Sequence, residues 1–176
     1  MKPICILAMC GSLREGSTNL ALLQGAKILA PPDVEIIIWN GQSELPHFTP
    51  DEERAPPKVV QNFRNLLGLA DGLIIACPEY ARGIPGSFKN ALDWLVGGET
   101  FVNKKFAQWN ASPRAFEAQR SLRLVLETMS GVWIEECSLT LPLINQQLTP
   151  QSIASHRAWA DQISLSLTRF AQTLRQ

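Results

Sequence analysis

Short apolar runs alternate along this chain with segments of helical periodicity. Ile4 to Met9 is continuously apolar, the pattern of a strand buried on both faces of a parallel sheet. From Asn19 to Ala30 the apolar positions recur at helical spacing, and Pro31-Pro32 stops them. Val34–Trp39, β-branched and apolar, predicts a second strand, followed by a polar loop from Asn40 to Ala55. Pro56-Pro57 open a helix expected to turn Val59, Phe63, Leu66 and Ala70 inward. Gly72–Cys77 reads as a third strand, and Pro85 to Val96 as a helix with Phe88, Ala91, Leu92 and Leu95 inward. Phe106–Ala111 predicts a fourth strand. Leu122, Val125, Leu126 and Met129 mark a fourth helix, with Gly131 at its C-terminal stop. Val132–Leu141 then supplies a fifth strand, and Trp159, Ile163, Leu167, Phe170 and Leu174 a closing helix.

Five β–α units at this spacing predict a three-layer, doubly wound α/β fold, because parallel strands need crossovers and crossovers are right-handed. Ligands of such sheets bind beyond the carboxyl ends of the strands. The residues after each strand therefore carry the functional information. The 176 residues, 45% of them hydrophobic, suffice for one domain, expected to span 1–176.

Sixteen Lys+Arg balance sixteen Asp+Glu, so the chain lacks the basic footprint of a nucleic-acid binder. Only 18% of residues are charged, below the usual quarter or so, and five are tryptophan. A surface so poor in charge hints at a subunit interface. Cys5, Cys10, Cys77 and Cys137 form no CxxC pair, and with His47 and His156 they make no standard zinc site. No segment reaches the about 18 apolar residues of a membrane span. The Leu7-Ala8-Met9-Cys10 stretch imitates a lipoprotein cleavage site, but its apolar run is shorter than the about 7–15 residues of a signal core. Reduced cysteines and no export signal make a cytoplasmic protein the expectation.

The first strand runs through Gly11-Ser12-Leu13-Arg14-Glu15-Gly16-Ser17-Thr18-Asn19 into a helix. Glycine turns, a helix N-terminus with free N–H groups, several hydroxyls and Arg14 together suit a terminal phosphate dianion. A plain strand–helix turn with an Asn or Thr cap would account for Thr18 and Asn19, but not for Arg14 and two further hydroxyls. The Gly11-x4-Gly16 spacing matches a Walker A loop, yet Ser17 stands where its lysine belongs, and Ala76-Cys77-Pro78 offers no magnesium-binding Asp. The dinucleotide G-x-G-x-x-G is absent. Only three residues separate Cys10 from Arg14, too few to wrap a phosphate around a cysteine nucleophile, so Cys10 is expected to end the strand as a core residue.

After the third strand comes Pro78-Glu79-Tyr80-Ala81-Arg82-Gly83-Ile84-Pro85-Gly86, then Lys89-Asn90-Ala91-Leu92-Asp93-Trp94-Leu95. Lys89 and Asp93 read as a solvated i,i+4 pair, and Trp94 as a core or interface residue. Gly-Ser-Leu-Arg…Ser…Asn after strand one, with Pro-Glu-Tyr…Pro-Gly…Lys-Asn-Ala-Leu-Asp-Trp-Leu after strand three, resembles the NADPH-dependent FMN reductase family of quinone, azo-dye and chromate reductases. Ala118-Gln119-x-x-Leu122-Arg123-x-Val125-Leu126 extends the likeness into the fourth helix.

The resemblance implies a flavodoxin-like five-stranded parallel sheet of order 2-1-3-4-5, non-covalent FMN, and a homodimer or homotetramer. It assigns Ser12, Arg14, Ser17, Thr18 and Asn19 to the FMN phosphate. Pro78, Glu79, Tyr80, Ala81 and Gly83, with Ser112 after strand four, would line the flavin. The implied activity is transfer of electrons from NADPH or NADH through FMN to a small acceptor: a quinone, an azo compound, a metal oxyanion or free flavin. Order would be ping-pong. No protein nucleophile is needed, and no catalytic residue is assigned. A flavin-binding electron carrier or a non-catalytic homologue are the rival readings; net zero charge speaks against the carrier.

Three departures from the family pattern stand out. Ala81 replaces the usual Asn, Gly83 replaces a hydroxyl, and Ser112-Pro113-Arg114-Ala115-Phe116-Glu117 replaces a glycine-rich stretch. Gln108 and Asn110 are unusual in a central strand, since buried polar side chains need partners. Arg82 and Arg114 are candidate partners for the NADPH 2′-phosphate, opposed by Glu117, so only a modest preference for NADPH over NADH is expected.

Overall fold

The computed structural model describes residues 2–143 and 148–176. Its parallel sheet is built from β1 (Ile4–Cys10), β2 (Val34–Trp39), β3 (Gly72–Ala76) and β4 (Lys105–Asn110), ending in two short pieces, β5 (Val132–Trp133) and β6 (Leu139–Thr140). The order is β2-β1-β3-β4-β5, with β6 also pairing to β4. Residue pairs Cys10↔Ala76 and Ala76↔Trp109 bring the carboxyl ends of β1, β3 and β4 level. That alignment gathers the three following loops at one rim of the sheet.

Strict alternation along the strands divides the core. Ile6, Ala8 and Cys10 of β1, with Ile74 and Ala76 of β3, face α1 (Thr18–Ile28), α5 (Pro150–Ser155) and α6 (Arg157–Leu174). Leu7, Met9, Leu73 and Ile75 face α2 (Lys58–Leu69), α3 (Gly86–Val96) and α4 (Phe116–Thr128). The three-layer, doubly wound sheet of order 2-1-3-4-5 expected from the sequence is the fold of the protein.

Several local expectations change. The fifth strand is not continuous: a 3-10 turn, Glu135–Cys137, interrupts it after Trp133 and returns the chain to β4 at Leu139. Ser138 holds the break, its Oγ accepting from Gln108 N at 3.1 Å and from Trp133 Nε1 at 2.9 Å. The buried face of α2 is Val60, Phe63 and Leu67, one position on from Val59 and Leu66. After α4 the left-handed residue is Ser130, with φ 65°, rather than Gly131. Gly131 is required for space, because a Cβ there would stand 2.6 Å from Phe101 and 2.9 Å from the Leu126 carbonyl. Trp94 is core: fully buried, it donates Nε1–H to Pro46 O at 2.8 Å and packs edge-on to Phe48. Lys89 and Asp93 form the expected pair on α3.

Candidate functional site

The loops after β1, β3 and β4 enclose an open cavity of about 600 Å³, within the usual range for small-molecule sites. The first loop supplies Ser12, Arg14, Ser17, Thr18 and Asn19; the second supplies Pro78, Glu79 and Tyr80; the third supplies Ser112. Those nine expected residues share one wall. Ala81 and Gly83 do not line it. They close a tight turn at its edge instead, where Tyr80 and Gly83 exchange backbone hydrogen bonds of 3.1 and 3.0 Å.

The local sequence explains each wall. Ser17 caps α1, its Oγ accepting from Leu20 N at 3.3 Å, while the first N–H groups of the helix have no intrahelical acceptor and face the rim. Ser12 Oγ accepts from Arg14 N at 3.2 Å and reaches Tyr80 Oη at 3.4 Å, tying the first loop to the second. Arg14 folds back and donates to Gly16 O at 2.6 Å. Asn19, only 8% exposed, accepts from Ala111 N at 3.3 Å, so it braces α1 against β4 as well as facing the cavity. Cys10 is fully buried, and burial pushes its thiol above the ordinary value. It ends the strand as a core residue.

Glu79 does more than line the wall. Its Oε2 accepts from Ala118 N at 2.9 Å, placing a carboxylate at the N-terminus of α4, where the helix dipole favours it. Gln119 Nε2 donates to Cys77 O at 2.9 Å, and Gln108 Nε2 to Gln119 O at 3.0 Å. Gln108 is thereby satisfied. Asn110, 6% exposed, braces the loop after β4: Oδ1 accepts from Ser112 N at 3.0 Å and Nδ2 donates to Ala115 O at 3.4 Å. Glu117 does not line the cavity; it pairs with Arg120 at 3.1 Å.

Asn110, Ala111, Arg114 and Ala115 complete the lining; of these only Arg114 was a candidate from the sequence, as a partner for the reductant rather than for the flavin. The polar side chain of Asn110 in an otherwise apolar strand was the available signal. His47 and His156 are exposed and away from the cavity, the latter stacked on Trp159. Among the described residues there is no cluster suited to a metal ion, and no helix is long and apolar enough to cross a membrane.

Could these walls hold FMN? An unsaturated helix N-terminus, three hydroxyls and a guanidinium suit a phosphate dianion, and Pro78, Glu79 and Tyr80 line the same cavity. The residues fit. Fold and site thus define a flavodoxin-like α/β protein with an open cavity beyond its strand ends, where ligands of such sheets bind. The model of the NADPH-dependent FMN reductase family matches residues 4–146, and the chain belongs to that family.

Among its relatives, an NAD(P)H-dependent FMN reductase from Pseudomonas aeruginosa is 40% identical over 129 residues, covering 72% of this chain and 69% of that protein. A 2-hydroxy-1,4-benzoquinone reductase from a Burkholderia species is 40% identical over 91 residues, 51% of this chain and 48% of that one. The match therefore spans about half the length of several curated relatives, the Escherichia coli quinone reductase included, at 49%. In structure, the chain resembles FerB, a flavoenzyme NAD(P)H:(acceptor) oxidoreductase from Paracoccus denitrificans, with TM-score 0.80 and 24% identity, covering 98% of this chain and 97% of that one. At that identity the likeness establishes the fold.

Proposed function

We propose that the protein is an FMN-dependent NAD(P)H oxidoreductase that delivers electrons to a small organic acceptor of the quinone class, acting as one FMN-binding unit over residues 1–176. The observation that carries this is the convergence of the Ser12–Asn19 anion cradle and the Pro78–Tyr80 wall on one cavity. The names of the Pseudomonas and Burkholderia relatives support the reductant and the acceptor class.

In this reading Ser12, Ser17, Thr18 and the α1 N-terminus hold the FMN phosphate, and Arg14 exchanges its Gly16 carbonyl for it. Pro78, Glu79 and Tyr80 border the ring through backbone groups. The Glu79 carboxylate stays at Ala118 N and keeps α4 in place. FMN held there would supply the two-electron chemistry between a nicotinamide and the acceptor. The chain's own work is to orient and to exclude water, so no acid–base residue is assigned.

The test is direct. Purified protein should take up FMN stoichiometrically, turn yellow, and oxidise NADPH or NADH in the presence of a benzoquinone. Protein that binds no FMN, or binds it without NAD(P)H oxidation, would refute the reductase reading. The second outcome would favour an electron carrier.

A homodimer or homotetramer in the cytoplasm is part of the same proposal. Leu13 and Tyr80, on the loops after β1 and β3, and Phe116, the first residue of α4, are 51%, 53% and 62% exposed, an apolar set that a second copy would cover. Four free thiols accord with a reducing compartment. Light scattering of the flavin-loaded protein should exceed the 19.5 kDa of one chain.

A further inference from the structure

The loop after β4 carries a guanidinium on a fixed base. Arg114 lies on the cavity wall, across β3 from the Arg14 loop. Its backbone N–H donates to Ser112 Oγ at 3.2 Å, and Ala115 N donates to Ser112 O at 3.2 Å. Asn110, buried at the end of β4, grips both ends of this turn, and Pro113 restricts its backbone. The side chain that projects from it is exposed and forms no ion pair among the described residues.

The neighbouring carboxylates are engaged elsewhere. Glu117 is held by Arg120 and Glu79 by the N-terminus of α4. Glu117, which the sequence set against an incoming phosphate, lies outside the cavity lining. Arg82, the other candidate, does not line the cavity; it sits at the tip of the Tyr80–Gly83 turn with φ 60°.

The cavity thus carries two guanidinium-bearing residues on different loops, Arg14 after β1 and Arg114 after β4. The first is assigned above to FMN, on which this inference rests. An exposed rim guanidinium suits the molecule that arrives afterwards. Its planar fork matches a terminal phosphate dianion with three free oxygens better than the diester oxygens of a pyrophosphate. We infer that Arg114 receives the 2′-phosphate of the dinucleotide reductant and sets the preference for NADPH over NADH.

The experiment measures binding rather than turnover. Dissociation constants of 2′-phospho-ADP-ribose and ADP-ribose are determined by calorimetry on FMN-loaded wild type, Arg114→Gln and Arg82→Gln, with FMN loading read separately from flavin absorbance. Wild type should favour the 2′-phosphorylated fragment by about tenfold or more, the low end for a hydrogen bond to a charged group, and Arg114→Gln should erase that ratio while still taking up FMN. A ratio that survives in Arg114→Gln, or that is lost in Arg82→Gln instead, would overturn the assignment. So would equal weakening of both fragments, which would move the contact to the pyrophosphate. Failure of the wild type to load FMN would refute the reductase reading itself, and the inference with it.

Discussion

The loops after β1 and β3 meet at the same cavity but are built on opposite terms. The β1 loop contains no residue of positive φ, and its polar groups are arranged by capping: Ser17 on α1, Ser12 on Arg14 N. The β3 loop forces Ala81 and Arg82 into left-handed backbone, φ 50° and 60°, to close the two-residue turn between Tyr80 and Gly83. Asn or Gly would adopt that conformation readily; an L-residue with a Cβ pays about 1–2 kcal/mol for it. The contrast separates two tasks. The β1 loop presents donors without backbone strain, whereas the β3 loop concentrates its strain in a turn at the cavity's edge, just beyond the lining residues Pro78 to Tyr80.

Substitutions can test that division. The largest effect is expected at Gly11, where a Cβ would lie 2.7 Å from Cys77 Sγ and 3.1 Å from its Cα. Gly11→Val should cost at least about 3 kcal/mol of stability in chemical denaturation, because the β1 loop passes hard against the start of the β3 loop. Arg14→Ala should leave the melting temperature unchanged and weaken FMN binding by about 1.5–3 kcal/mol in a fluorescence titration. Unchanged affinity would take Arg14 out of the cradle.

In the β3 loop the sign reverses. Ala81→Asn should raise stability by about 0.5–1 kcal/mol by relieving left-handed strain, seen as a melting temperature higher by about 1–4 °C. A lower melting temperature would mean that the turn is held by something other than its backbone. The smallest effect concerns the thiols that flank both loops. Burial pushes Cys10 up and Cys77 further still, so at pH 8 neither is ionised, and a thiol reagent should label neither in native protein. Labelling of either would show that the loops open.

The strands β1 to β4, and the gathering of Ser12 to Asn19 at the cavity, were legible in the sequence because each is a local pattern: an apolar run, a cap, a hydroxyl set before a helix. The broken fifth strand was not. Val132–Leu141 is apolar enough for a strand, and only the Ser138 contacts with Gln108 and Trp133 reveal why it turns out and returns. The same holds for Asn110 and Glu79. Their residue types were visible, but their partners, Ser112 and Ala118, come from loops and helices that only the sheet order brings near. On α2 the expected Phe63 and Ala70 are buried, but Val60 and Leu67 take the inward places expected of Val59 and Leu66, because neighbouring apolar residues satisfy the helical period equally well and packing decides between them.

The central claim is that the β1 loop and the α1 N-terminus bind the phosphate of FMN. Riboflavin carries the same ring system without that phosphate, so titrating both flavins into the unmodified protein isolates the cradle. With at least two charge-assisted hydrogen bonds at stake, FMN should bind about a hundredfold or more tighter than riboflavin. Equal affinities for the two would contradict the account.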